Sequence, residues 1–288
     1  MNVGVIGLGK MGLPIARNLM ERGFGVTGFR RSGSPELVAA GGTFAGSPAE
    51  VAAASDVLLS IVPDADAVEE VVLGPRGTVH GLRPGTVHIE MSTTDVTRKA
   101  AVRDAVRAAG GDLLDCPISG SPGMVAPRLA TTFVSGEQAS IDAVTPVLDA
   151  ISGRWVDVGA FGAGASMKYV ANLLIGIHTV AAAEAILLAR NLGLDLELVQ
   201  RTLDTSISSS AILAQRGPVM RAQQWTPAPG PIETLHAILV QIAAAAAASG
   251  VNTPVFTAAK TVFDKAMADG WAELDIAAVH AQLAGETV

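Results

Sequence analysis

The chain has 288 residues, 49% of them hydrophobic and 16% charged, which is enough for two domains with a large core and too apolar for a disordered protein. Its formal net charge of −7 excludes the basic footprint that nucleic acid or an anionic membrane surface requires, and leaves a small-molecule substrate as the expected partner. One cysteine, Cys116, rules out an internal disulfide, and five histidines with no i, i+4 spacing predict no metal site.

The first residues pass directly into an apolar run with no basic flank and no cleavage site, which predicts a cytoplasmic protein without a signal peptide. Residues 2–6 read as a strand, Gly7-Leu8-Gly9-Lys10-Met11-Gly12 as a glycine-rich turn, and 13–19 as a helix. In that order the first glycine permits a tight turn, the second lets a pyrophosphate approach the backbone, and the third lets helix pack on strand. A second strand over 25–29 is followed by Arg30, Arg31 and Ser32. A carboxylate expected there for a ribose 2′-hydroxyl is missing, and two guanidinium forks favour a 2′-phosphate, so NADP is the predicted cofactor. Glu36 is not the missing acid, because Ser34-Pro35-Glu36 reads as the start of the next helix. A solvated turn is the plainer account of the two arginines.

Strands over 57–62 and 86–89 close on Pro63 and on Glu90-Met91-Ser92-Thr93. In a doubly wound parallel sheet the C-terminal strand ends line the ligand crevice, which puts Val62, Pro63, Ser92 and Thr93 beside the cofactor. Asp115-Cys116-Pro117-Ile118-Ser119-Gly120-Ser121-Pro122-Gly123 follows, a loop whose hydroxyls and backbone N–H groups suit a carboxylate. A structural turn explains it as well. Short strands over 131–134 and 154–157 are expected to end the first domain, and Gly162-Ala163-Gly164 to form a hinge-like link into the next.

From Ala165 to Asn191 the pattern is one long helix, apolar on nearly every face and stopped by Gly193. Lys168 in its first turn and Asn172 one turn later share a face. A snorkelling lysine and a structural asparagine would give the same pattern. Helices over 196–203, 211–220, 233–249, 254–269 and 274–283 complete the chain. The fold expected is thus an α/β Rossmann-type doubly wound sheet, residues 1–162, followed by an all-α C-terminal domain, residues 163–288, with a long interdomain helix. The most apolar stretches, 170–189 and 235–249, are read as buried core helices rather than membrane spans. Apolar faces beyond what one small helical domain can cover predict a homodimer or homotetramer.

Together these stretches resemble the β-hydroxyacid dehydrogenase family. Gly7-Leu8-Gly9-Lys10-Met11-Gly12 is similar to its cofactor motif, Arg31-Ser32 to the Asn-Arg-Thr of NADP-using members, and Glu90-Met91-Ser92-Thr93 to its Asp-x-Ser-Thr. Asp115-Cys116-Pro117-Ile118-Ser119-Gly120 resembles the motif whose serine and glycine hold the substrate carboxylate. Gly162, Gly164, Lys168 and Asn172 resemble its G-x-G-x-x-x-K-x-x-x-N. The resemblance implies hydride transfer between NADP(H) and a β-hydroxyacid or semialdehyde, with Lys168 as general acid and base, Asn172 holding substrate or lysine, and Ser119, Gly120 and Ser121 at the substrate. Ser121, Met124 and Arg128 stand where the family has glycines, and Glu233-Thr234 stands where it carries Lys-Asp. An imine reductase on the same architecture and a non-catalytic NADPH-binding protein are the competing readings; Ser121-Pro122 favours the first of these, and Lys168 with Asn172 opposes both.

Overall fold

Short β-branched and leucine-rich runs between helical stretches build a parallel sheet. In the computed structural model, which describes residues 1–288, β1 (Asn2–Ile6), β2 (Gly25–Phe29), β3 (Thr43–Phe44), β4 (Val57–Ser60), β5 (Val87–Glu90) and β6 (Asp112–Asp115) lie in the order β3-β2-β1-β4-β5-β6. Every pairing is parallel. The crossovers are α1 (Gly12–Glu21), α2 (Pro35–Ala39), α3 (Pro48–Ala53), α4 (Ala65–Leu73) and α5 (Val96–Ala108). Every residue of β4 and β5 is buried, as continuous apolar runs in a parallel sheet require. The strand order reverses between β1 and β4, the position at which such sheets open a ligand crevice. Register aligns Ile6 with Phe29 and Ser60, Ser60 with Glu90, and Glu90 with Asp115. The residues that follow, Gly7, Arg30, Ile61, Met91 and Cys116, therefore stand in one row along the sheet's C-terminal edge.

The strands expected at 131–134 and 154–157 form, but they do not extend this sheet. β7 (Ile118–Ser119), inside the stretch expected to be a loop, pairs antiparallel with β8 (Thr131–Val134), which pairs parallel with β9 (Arg154–Asp157) in a separate three-stranded sheet. Pro117 has no N–H to prolong the ladder of β6, so the chain leaves the main sheet there. The helices α6 (Pro122–Val125) and α7 (Gln138–Ile151) connect these short strands.

The long helix α8 (Ala163–Asn191) has 29 residues and spans about 43 Å. Gly193, at φ 73°, closes it by donating to Arg190 O, and Leu194 donates to Ala189 O. The chain divides into compact units at 1–168 and 169–288. The second contains α9 (Leu196–Asp204), α10 (Ala211–Ala222), α11 (Ile232–Ser249), α12 (Pro254–Ala268) and α13 (Val279–Ala284). Its core joins Val180, Ala183 and Ile186 of α8 to Leu239, Phe256, Phe263 and Val279.

The apolar stretches of α8 and α11 are not the buried core helices expected. Both are long and apolar enough to cross a membrane, yet only 39% and 22% of their most apolar windows are buried. Each turns one stripe to the core, with Leu173, Ile175 and Ile177 of α8 and Ile238 of α11 half-buried against it, and leaves Val170, Leu174 and Leu188 of α8 and Val240 of α11 exposed.

Candidate active site

The glycine turn after β1 separates three roles by geometry. Gly7 adopts φ 96°, and a Cβ there would stand 2.0 Å from Ile61 O. At Gly12 a Cβ would stand 1.9 Å from Gly7 O, so the third glycine seats α1 on the turn. At Gly9 a Cβ would meet no atom within 4 Å, and Gly9 and Lys10 are exposed while Leu8 is buried and Met11 half-buried. Helices α3, α4, α5, α9 and α10 have side-chain caps; α1 has neither a capping side chain nor an acid in its first turn. A bare backbone beside uncapped N–H groups fits a dinucleotide pyrophosphate.

The two arginines after β2 have different surroundings. Arg30 donates from Nε to Gly33 O at 2.7 Å and from Nη1 to Leu8 O at 3.0 Å, with Glu36 at 3.6 Å. Its guanidinium is engaged in tying the glycine turn to the loop after β2. Arg31 is 75% exposed, with only Glu70 at 3.9 Å, and Ser32 is exposed beside it. Arg31 thus keeps its fork free of hydrogen bonds within the protein, whereas that of Arg30 is partly engaged. Glu36 sits at the start of α2, as read from the sequence.

Along the strand ends, Val62 N–H donates to Ser92 Oγ at 2.9 Å, and Ser92 N–H to Glu90 Oε1 at 2.8 Å. This ties the segment after β4 to the one after β5. Pro63 is exposed, and Val62 and Thr93 are half-buried at that edge.

Ser119 ends β7, and Gly120 packs so closely on Ala130 that a Cβ would stand 2.8 Å from the alanine Cβ. Ser121 precedes α6, which Asn18 of α1 anchors through Val125 O at 2.9 Å. Ser119, Gly120 and Ser121 are all half-buried. Arg128 adopts φ 59°, the left-handed conformation that explains a glycine preference there, and its Nε is buried without a partner. Glu233 is exposed in the first turn of α11, where a carboxylate favours the helix dipole.

Lys168 is 7% exposed, and burial alone, with no carboxylate acting on it, lowers its pKa to about 8. Asn172, one turn further along α8, is 3% exposed and its Nδ2 has no hydrogen-bond partner. A desolvated amine and an unsatisfied amide on one helix face can hold and protonate an oxygen. The start of α8 is fixed rather than hinge-like: a Cβ on Gly164 would stand 2.6 Å from Asp115 O and 3.0 Å from Phe133 O. Sequence reasoning missed the buried charges nearby, Glu90, Lys99 and Asp115. The available signal was an acid at the end of each of two neighbouring strands, Glu90 of β5 and Asp115 of β6.

A parallel sheet in this order, with an open glycine turn and a helical unit after it, defines the class of two-part NAD(P)-binding oxidoreductases. The family profile for the NAD binding domain of 6-phosphogluconate dehydrogenase matches residues 2–159, and that for the NAD-binding region of NADP-dependent 3-hydroxyisobutyrate dehydrogenase matches 162–283. The chain belongs to the β-hydroxyacid dehydrogenase family of NAD(P)-dependent oxidoreductases. Glyoxylate/succinic semialdehyde reductase 1 of Arabidopsis thaliana is 30% identical to it over 97% of both chains. The structure of Mycobacterium tuberculosis 3-hydroxyisobutyrate dehydrogenase with L-serine superposes with a TM-score of 0.89 at 27% identity, over 98% of each chain. An imine reductase from Pseudomonas sp. covers 98% of this chain, with a TM-score of 0.62 and 23% identity, and shares the fold alone.

Proposed function

We propose that this protein is an NADP(H)-dependent oxidoreductase that moves a hydride between the nicotinamide and a β-hydroxyacid or the corresponding semialdehyde. Lys168 carries this reading: a buried amine with a pKa near 8 and no counter-ion is matched to proton exchange with an alcohol or alkoxide. The nicotinamide supplies or accepts the hydride when bound. In reduction the Lys168 ammonium gives a proton to the carbonyl oxygen as negative charge develops there, and in oxidation neutral Nζ takes the hydroxyl proton. The Asn172 amide, which has a donor to spare, orients that oxygen or the lysine. Ser119, Gly120 and Ser121 receive the substrate carboxylate through hydroxyl and backbone N–H groups.

The turn from Gly7 to Gly12 and the start of α1 hold the pyrophosphate in this scheme, with Val62, Pro63 and Thr93 along the cofactor. Arg31 and Ser32 take the 2′-phosphate and Arg30 braces the turn. Residues 1–162 serve as the cofactor domain and 163–288 as the substrate and assembly domain of a cytoplasmic homodimer or homotetramer. Exposed apolar residues of α8 and α11 support the assembly. Lys168 is also what favours a hydroxyacid substrate over an imine, which needs no alkoxide protonated.

The test is NADPH oxidation with a panel of small semialdehydes bearing one carboxylate and a second panel of cyclic imines. Turnover of the first panel is expected. Turnover of imines alone, or NADPH binding with no turnover on either panel, would overturn the proposal.

A further inference from the structure

Under the first turn of α8 lies a cluster of buried charges for which the chemistry of Lys168 has no direct use. Glu90 and Asp115 are partners in register on neighbouring strands and both are fully buried, an arrangement of like charges that is unstable alone. Lys99 of α5 resolves it. Its Nζ lies 2.5 Å from Glu90 Oε2 and 2.7 Å from Asp115 Oδ1, and donates to Ser92 O at 2.5 Å. The cluster is left with one net negative charge.

That charge meets the positive end of α8. The second carboxylate oxygen of Asp115 accepts the Ala165 N–H at 2.7 Å, while Ser135 Oγ accepts the Gly164 N–H at 2.9 Å and donates to Asp115 O at 3.0 Å. The first turn of α8 thus takes caps from residues 50 and 29 positions earlier in the chain. Gly164 lets the helix press onto these strand ends, and Lys168 lies one turn beyond it on the same face.

We infer that Asp115, with Lys99 fixing its rotamer, and Ser135 are positioning residues that set the place of Lys168 by clamping the start of α8. This rests on the catalytic reading of Lys168 given above. A cluster that merely balanced charge within the sheet would respond alike to loss of either acid; a clamp would not, because of the two acids it is Asp115 that accepts a hydrogen bond from α8.

The test compares Asp115→Asn, Ser135→Ala and Glu90→Gln by amide hydrogen exchange and by steady-state kinetics with NADPH. In Asp115→Asn, exchange at Gly164 and Ala165 is expected to speed up about tenfold or more, as loss of a charge-assisted cap implies. Turnover number should fall at least about tenfold further than in Glu90→Gln, with KM for NADPH held within about threefold. Ser135→Ala removes a cap without altering charge, and should loosen Gly164 and lower kcat in the same direction. It serves if Asp115→Asn does not fold. Equal responses to the two acid substitutions, or protection and kcat unchanged in Ser135→Ala, would overturn the clamp. If exchange rises at the start of α8 in both clamp variants while kcat stays native, the clamp stands and the catalytic reading of Lys168 is what fails.

Discussion

Replacing Lys168 by Met should stabilise the protein while disabling it, and the size of the effect follows from the lysine's surroundings. Its pKa is about 8 in the fold and 10.5 ordinarily. The difference corresponds to about 3 kcal/mol of penalty for keeping the ammonium buried. Between pH 8 and 10.5 the unfolded chain binds more protons than the folded one, so stability rises with pH across that window. Below pH 8 both forms are protonated and the penalty is fully present. Lys168→Met, similar in volume and neutral, should therefore be more stable than the native protein at pH 7 by up to about 3 kcal/mol, with the gap closing by pH 10.5. Urea unfolding at pH 7 and pH 10 measures it. The same variant should lose at least about a hundredfold in kcat with cofactor affinity retained. In the native enzyme, reduction should slow and oxidation accelerate as pH rises through about 8. A Met variant less stable than native at pH 7, or a stability gap that ignores pH, would refute the picture of an uncompensated buried amine.

Arg31→Ala should remove most of the preference for NADPH over NADH, a loss of about 1.5–3 kcal/mol measured as a ratio of kcat/KM values, whereas Arg30→Ala should weaken both cofactors alike. Equal use of NADPH and NADH by the native enzyme would contradict the assignment. Arg128→Gly should leave stability unchanged or raise it by up to about 1 kcal/mol in thermal unfolding, because φ 59° strains a residue with a Cβ; a clear loss would mean the arginine side chain is needed. Light scattering should find a dimer or larger assembly at micromolar concentration. Leu188→Glu with Leu198→Glu should shift it toward monomer, since both leucines are more than half exposed on one apolar surface.

The parallel sheet, the glycine turn and the long helix were legible because each leaves a periodic or fixed-spacing signature in the chain. The helix 165–191 was placed to within two residues at its start, and Gly193 marked its end. What escaped depends on contacts between residues far apart in sequence. Nothing in Ile118-Ser119 distinguishes a two-residue strand from a loop until β8 is beside it. The arginines of 30 and 31 look equivalent in sequence, and only the carbonyls of Leu8 and Gly33 separate them. Gly162-Ala163-Gly164 suggested a hinge for want of knowing that Asp115 O and Phe133 O press against Gly164.

The two buried lysines show why burial alone cannot identify a functional residue. Lys99 and Lys168 are both almost fully enclosed, and burial pulls both pKa values down. At Lys99 the carboxylates of Glu90 and Asp115 overcome that pull and leave the pKa raised, so the group is a cation held by two ion pairs and by hydrogen bonds to Ser92 O and Asp115 Oδ1. Lys168 has no such partner, and its pKa stays near the pH at which it would work. A fixed cation can hold structure but cannot exchange a proton; an uncompensated amine can exchange one but destabilises the fold that holds it. The site needs both kinds. Asp115 joins them, since one of its oxygens fixes Lys99 and the other receives the first turn of the helix that carries Lys168.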